Sequence, residues 1–214
     1  MRTATRVRLR FAKRGDLRFV SHHDLMRCLE RLLRRAAIPV ALSQGFNTRP
    51  KMVFPLAMGL GIEGRREVVE LDLAEPLGPP EVLRRLAAAT PPGLDWLDAE
   101  AVAPGRAAQV GAVAYALDVP SERLEETRAR LAALLASTSW PYTRRRPDRD
   151  REIPIDLRPF VLGAAIDPPG TLRFWMKMTP NVSARPEEVI DALGLRDALG
   201  QGAVLVRTEM ELVP

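Results

Sequence analysis

The sequence predicts an α+β fold in which antiparallel sheets carry helices on one face. Three observations predict it. Short segments alternate strictly between apolar and charged residues, leucines recur at helical spacing between them, and one order of elements occurs twice along the 214 residues: strand, helix, two strands, helix, strand.

In TRVRLRFA, Val7, Leu9 and Phe11 alternate with Arg6, Arg8 and Arg10, the pattern of a half-buried strand. SHHDLMRCLERLLRRA follows as a helix over residues 21–37. Ser21 with Asp24 three residues later fits a capping box; Leu25, Cys28, Leu29, Leu32, Leu33 and Ala36 share one face, and Arg27, Glu30, Arg31, Arg34 and Arg35 the other. Residues 39–61 read as an irregular strand interrupted by a Gly/Asn/Pro loop, and REVVELDL as a clean strand. PPEVLRRLAAAT sets Val82, Leu83 and Leu86 at helical spacing behind prolines suited to a first turn, and GLDWLDAEAV closes the unit.

A linker at residues 103–111 leads into AVAYALDV, a strand, and SERLEETRARLAALLAS, a helix with Leu124, Leu131, Leu134 and Leu135 inward. A Pro/Arg-rich excursion follows, whose YTRRRPDRDR segment is expected to be a mobile basic loop. RPFVLGAAID and GTLRFWMKMT are strands, RPEEVIDALG is a short helix with Gly194 at its C′ position, and AVLVRTEMELV is the last strand. The order implies tandem ferredoxin-like βαββαβ sandwiches, a basic domain over residues 1–104 and a second over 111–214. Each sheet then keeps one face free of its own helices, either a binding platform or the seam between domains.

No apolar stretch is long enough to cross a bilayer, and MRTATRVRLRF lacks a signal peptide's apolar segment, so a cytoplasmic protein with no membrane partner is expected. Cys28 is the only cysteine, which leaves no intrachain disulfide, cysteine zinc cage or thiolate set for an iron–sulfur cluster; no metal and no cofactor are expected. Charge is uneven: residues 1–66 hold 15 Lys/Arg against 4 Asp/Glu, a net of +11, and the remainder is −6. That imbalance points to a polyanionic partner, RNA foremost, with a solvated basic surface as the alternative. The excess of arginine over lysine, 29 to 3, is also what a biased base composition produces.

Ser21 to Asp24 place His22 and His23 in a helix's first turn, where the dipole favours anions and disfavours an imidazolium. The pair reads as local packing with one solvated ring, as an anion or substrate contact, or as a proton-transfer group. The 42–54 loop is the densest polar segment: Ser43, Gln44, Asn47, Arg49 and Lys51 offer donors and acceptors, Gly45 permits close approach and Phe46 is available to stack, unless Asn47 and Pro50 only shape a bulge. Arg6, Arg8 and Arg10 either track phosphates or, as favoured here, pair across strands with Glu70 and Asp72. Arg173, Trp175 and Lys177 share a strand face, where Trp175 either stacks an unpaired base or fills the domain seam. LGLRDALGQGAV resembles the glycine-rich loops before the last strand of some RNA-processing ferredoxin-like proteins. No P-loop, dinucleotide fingerprint, metal-ligand spacing or Ser/His/Asp arrangement is present.

Residues 8–64, from RLRFAKRGDLRFVSHHDL through SQGFNTRPKMVFPLAMGLGIEG, and TPNVSARPEEVIDALG near the carboxyl end resemble the uncharacterised bacterial radical-SAM-linked proteins, a domain of unknown function found beside or fused to radical S-adenosylmethionine enzymes. The family's Ser-His-Leu-Asp stretch puts its histidine at His22, with His23 where leucine is usual. Its loop motif falls on Ser43, Gln44, Gly45, Phe46, Asn47, Arg49, Pro50 and Lys51, with Thr48 in place of proline; Asn181 and Val182 depart from a more glycine-rich pattern. The resemblance implies a companion of a radical SAM enzyme and no established activity. The architecture is also similar to that of CRISPR RNA-processing endoribonucleases.

The expected function is accessory RNA binding, to transfer or ribosomal RNA, through Ser21, His22, Asp24, Arg27, Ser43, Gln44, Phe46, Asn47, Arg49, Lys51 and Trp175. The alternatives are a metal-independent endoribonuclease with His22 or His23 as general base, and a protein–protein adaptor for the radical SAM partner.

Overall fold

A computed structural model describes residues 5–146, 151–180 and 182–213. The chain divides into two compact units, residues 1–110 with 212–214, and residues 111–211.

The first unit contains β1 (Thr5–Lys13), α1 (His22–Arg35), β2 (Met52–Val53), β3 (Glu63–Leu73), α2 (Pro79–Ala89) and β4 (Leu94–Val102). β1 lies antiparallel between β4 and β3, and the short β2 pairs with β3. Alternation along β1 decides its two faces. Val7, Leu9 and Phe11 are fully buried with Leu25, Leu29, Leu32 and Leu33 of α1, Val82 and Leu86 of α2, and Val69, Leu71 and Leu73 of β3. Each such leucine contributes about 1.5–3 kcal/mol through burial.

The opposite face of β1 carries the arginine ladder, and it is a cross-strand ion network. Register sets Arg6 opposite Asp72 and Arg8 opposite Glu70 on β3, and Arg8 opposite Glu100 and Arg10 opposite Asp98 on β4. Arg6 donates to Asp72 at 2.6 Å and reaches Glu70 at 3.4 Å, Arg8 sits 3.0 Å from Glu70, and Arg10 3.9 Å from Asp98. Glu70 and Arg6 are buried, so these charges hold the sheet rather than await a phosphate.

α1 begins after Ser21, which caps it as expected, although the reciprocal half of a capping box, Asp24 accepting from the Ser21 amide, is replaced by a bond from the Ser21 hydroxyl. Ser21 Oγ accepts from the Asp24 amide at 3.2 Å and donates to the Asp24 carboxylate at 2.7 Å. The helix ends at Arg35, two residues short of the expected 37, because Ala37 turns to φ +50°. Its amide donates to Arg34 O and that of Ile38 to Leu33 O, the paired bonds of a left-handed C-terminal cap.

The second unit contains β5 (Gln109–Asp118), α3 (Leu124–Ala136), β6 (Pro141–Arg146), β7 (Arg151–Asp156), β8 (Val161–Asp167), β9 (Thr171–Lys177), α4 (Pro186–Ala192), α5 (Arg196–Gly200) and β10 (Val206–Val213). Its strand order is β10, β5, β9, β8. In both units the first and third strands of the βαββαβ order are therefore central, and pairing is mainly antiparallel, an α+β arrangement. Leu172, Phe174 and Met176 of β9 are buried, with Phe174 stacked on Tyr115 at 5.4 Å.

Three expectations change here. The segment expected to be a mobile basic loop forms the β6–β7 ribbon, from Pro141 opposite Asp156 to Arg146 opposite Arg151, and only 147–150 lie outside the described residues. Arg144 fastens the ribbon to α4 through Glu188, at 2.5 and 3.0 Å, and Tyr142 donates to Asp191 at 2.7 Å. The glycine-rich LGLRDALGQGAV carries a short helix, α5, between turns at Gly194 and Gly202, both at positive φ. On α3, Leu131 and Leu134 are buried as expected, but Leu124 and Leu135 are half-buried and Thr127 takes an inward place.

Candidate nucleic-acid interface

The 42–50 segment is a hairpin set into the edge of the first unit's sheet. Leu42 bridges to Pro50, the Ser43 amide donates to Arg49 O at 2.8 Å, and Ser43 Oγ accepts from the Arg49 amide at 2.9 Å. Both arms are anchored on one residue of β3. Asp72 O accepts from the Ala41 amide at 2.7 Å, and the Asp72 amide donates to Lys51 O at 3.1 Å. At the tip Gly45 adopts φ +123°, a conformation that glycine takes readily.

Ser43 is thus spent on closing the hairpin. Gln44, Asn47 and Arg49 are exposed, Lys51 is half-buried at the base, and Phe46 is 110% exposed. No ion pair holds Arg49 or Lys51 among the described residues.

The helix start is a second cluster. The His22 ring meets Phe54 edge-on at 5.0 Å, and Phe54 in turn lies 6.3 Å from Phe11, so His22 belongs to the margin of the core. His23 is exposed, with its ring 6.2 Å from that of His22. Asp24 closes the cap and sits 3.4 Å from the exposed Arg27.

Nothing in the sequence's periodicity marks Phe19, yet it is 59% exposed just before the helix, with the Arg18 guanidinium 4.3 Å over its ring. Leu60, 66% exposed, stands next to Gly61, whose amide donates to Arg18 O. The signal available was an aromatic residue next to Arg18 in the strand-to-helix connection, between Leu17 and Val20, which pack against the core. Cys28, expected on the core face of α1, is only half-buried and, with Arg31, Arg34, Arg35 and Pro91, lines a shallow groove of about 630 Å³ with no carboxylate in its walls.

In the second unit Trp175 is 44% exposed, and Arg173 and Lys177 share its outward direction. Val182 is 54% exposed, while Asn181 lies outside the described residues. No group of three or more His, Cys, Asp or Glu side chains is placed to hold a metal ion among the described residues, and no helix there is long and apolar enough to cross a membrane.

A family model described as an uncharacterized protein conserved in bacteria, DUF2344, matches residues 6–186. No curated protein matches the chain.

Proposed function

This chain belongs to the DUF2344 family of uncharacterized proteins conserved in bacteria, and for it we propose an accessory RNA-binding role, holding a transfer or ribosomal RNA for a separate radical S-adenosylmethionine enzyme. The observation that carries the reading is Phe46, wholly exposed at the tip of a hairpin whose neighbouring polar groups also face water. An aromatic ring there adds nothing to the core; a stacked base would give it a partner. Arg49 and Lys51 supply phosphate contacts, and Gln44 and Asn47 meet polar base edges. His22, with Phe54 behind it, positions the helix start; Ser21 holds the cap; Asp24 and Arg27 form its charged rim.

The radical SAM partner rests on the resemblance of the 8–64 segment and its motifs. With a single cysteine, these 214 residues supply one thiolate, so the cluster-binding thiolates of such an enzyme lie outside them.

The test is recovery of nucleic acid that copurifies with the protein from its native host, comparing the wild type with Arg49→Ala/Lys51→Ala. A defined RNA lost in the variant is the expected result. Equal or absent RNA in both overturns the reading. Cleavage that survives a chelator and disappears in His22→Ala or His23→Ala replaces it with a nuclease.

A further inference from the structure

We propose that the second unit's sheet binds an unpaired nucleotide of RNA, its base stacked on Trp175 and its phosphate on Lys177; this rests on the reading above that the chain binds RNA, and not on the hairpin's part in it. Trp175 lies on β9, central in the order β10, β5, β9, β8 with β5 and β8 as its neighbours, so a rigid element rather than a loop presents the ring. Its register partners are Ala114 on β5 and Gly163 on β8. The adjacent pairs on that face are also small: Ala112 opposite Lys177, and Ala116 and Ala165 opposite Arg173. Trp175 therefore stands above a low floor, 44% exposed, and a Cβ built on Gly163 would meet nothing within 4 Å.

The chemistry of the surround selects the occupant. Strand geometry puts Arg173 and Lys177 about 7 Å to either side of Trp175, cations flanking one aromatic face. Asp167 holds Arg173 at 2.6 Å, and Lys177 has no ion pair among the described residues. A protein partner seated here would find two large apolar side chains, Trp175 and Leu162 at the bulge beside Gly163, amid alanine, glycine and charge, too little for a buried interface core. A base needs only a flat π-face and a nearby cation. Stacking is tolerant of sequence, so the preference is for single strands over duplex and not for one base.

The full-length protein is titrated with an eight-nucleotide oligouridylate, an oligoadenylate of equal length and a blunt RNA duplex. Trp175→Ala is expected to weaken single-strand binding by about tenfold or more, with Trp175→Phe retaining most of it. Gly163→Val enters open space, so it keeps the thermal transition while obstructing the ring's edge, and it too weakens binding. Lys177→Ala lowers the salt slope by about one. Oligouridylate binding unchanged in Trp175→Ala and Gly163→Val overturns the inference, as does wild-type protein that prefers the duplex. Loss of host RNA in Arg49→Ala/Lys51→Ala together with unchanged oligonucleotide binding in Trp175→Ala fails this inference alone. The converse pair of results fails the hairpin reading and leaves this one standing.

Discussion

Arg6 Nε donates to the Asp72 carboxylate at 2.6 Å, while the backbone of the same Asp72 accepts from one arm of the 42–50 hairpin and donates to the other. The arginine ladder on one side of β3 and the projecting hairpin on its edge thus share a single fastening. The hydrogen bond to Asp72, more than the surrounding charge, raises the Arg6 guanidinium's pKa above its usual value, so Arg6 stays charged throughout the accessible range.

Asp72→Ala is accordingly expected to cost about 1.5–3 kcal/mol, because it leaves a mostly buried guanidinium with only Glu70. Urea denaturation measures the loss, and amide hydrogen exchange at Ala41 and Lys51 should quicken with it. An unchanged midpoint would show that Glu70 alone suffices for Arg6.

The ladder was legible in the sequence because strand alternation fixes both faces at once: Val7, Leu9 and Phe11 demand the core, which leaves Arg6, Arg8 and Arg10 facing Glu70 and Asp72. The Ser21 cap was legible for the same local reason. The β6–β7 ribbon was not. Prolines and same-sign charges argue against strands locally, and what overrides them is distant, Glu188 and Asp191 on α4 receiving Arg144 and Tyr142. The role of His22 was open for a similar reason, since no periodicity announces that Phe54, beyond the hairpin, returns to its ring.

Ala37→Gly should stabilise the protein. Ala37 holds φ +50° at the end of α1, where a Cβ costs roughly 1–2 kcal/mol, and glycine removes that strain while adding unfolded-state freedom. The expected net gain is about 0.5–1 kcal/mol, read as a higher midpoint in urea. A fall instead would mean that the alanine methyl is packed favourably enough to outweigh the strain.

Tyr142 should ionise late. Burial first, then its hydrogen bond to Asp191, pushes the phenol up to about 12. A phenol raised in the folded state stabilises the fold fully below its unfolded pKa of about 10, and that contribution is lost as pH rises through the folded value. In an ultraviolet difference titration, the tyrosinate absorbance missing from Tyr142→Phe should appear near pH 12. A midpoint near 10 would mean that the ribbon does not hold the hydroxyl against α4.

Two phenylalanines eight residues apart separate a binding role from a folding one. Phe54 joins Phe11 at 6.3 Å to His22 at 5.0 Å, so Phe54→Ala opens the margin of the core and should cost about 2–4 kcal/mol. Phe46 touches no such partner and is fully exposed, so Phe46→Ser should leave stability within about 0.5 kcal/mol of the wild type. Copurifying RNA should move the opposite way, falling severalfold in Phe46→Ser and, per folded molecule, staying near wild type in Phe54→Ala. Were Phe46→Ser instead to unfold the chain, the hairpin tip would be a structural element and its exposure would no longer argue for a ligand. Were it to change neither stability nor RNA, the stacking role would fall and the cations Arg49 and Lys51 would remain as the hairpin's contribution.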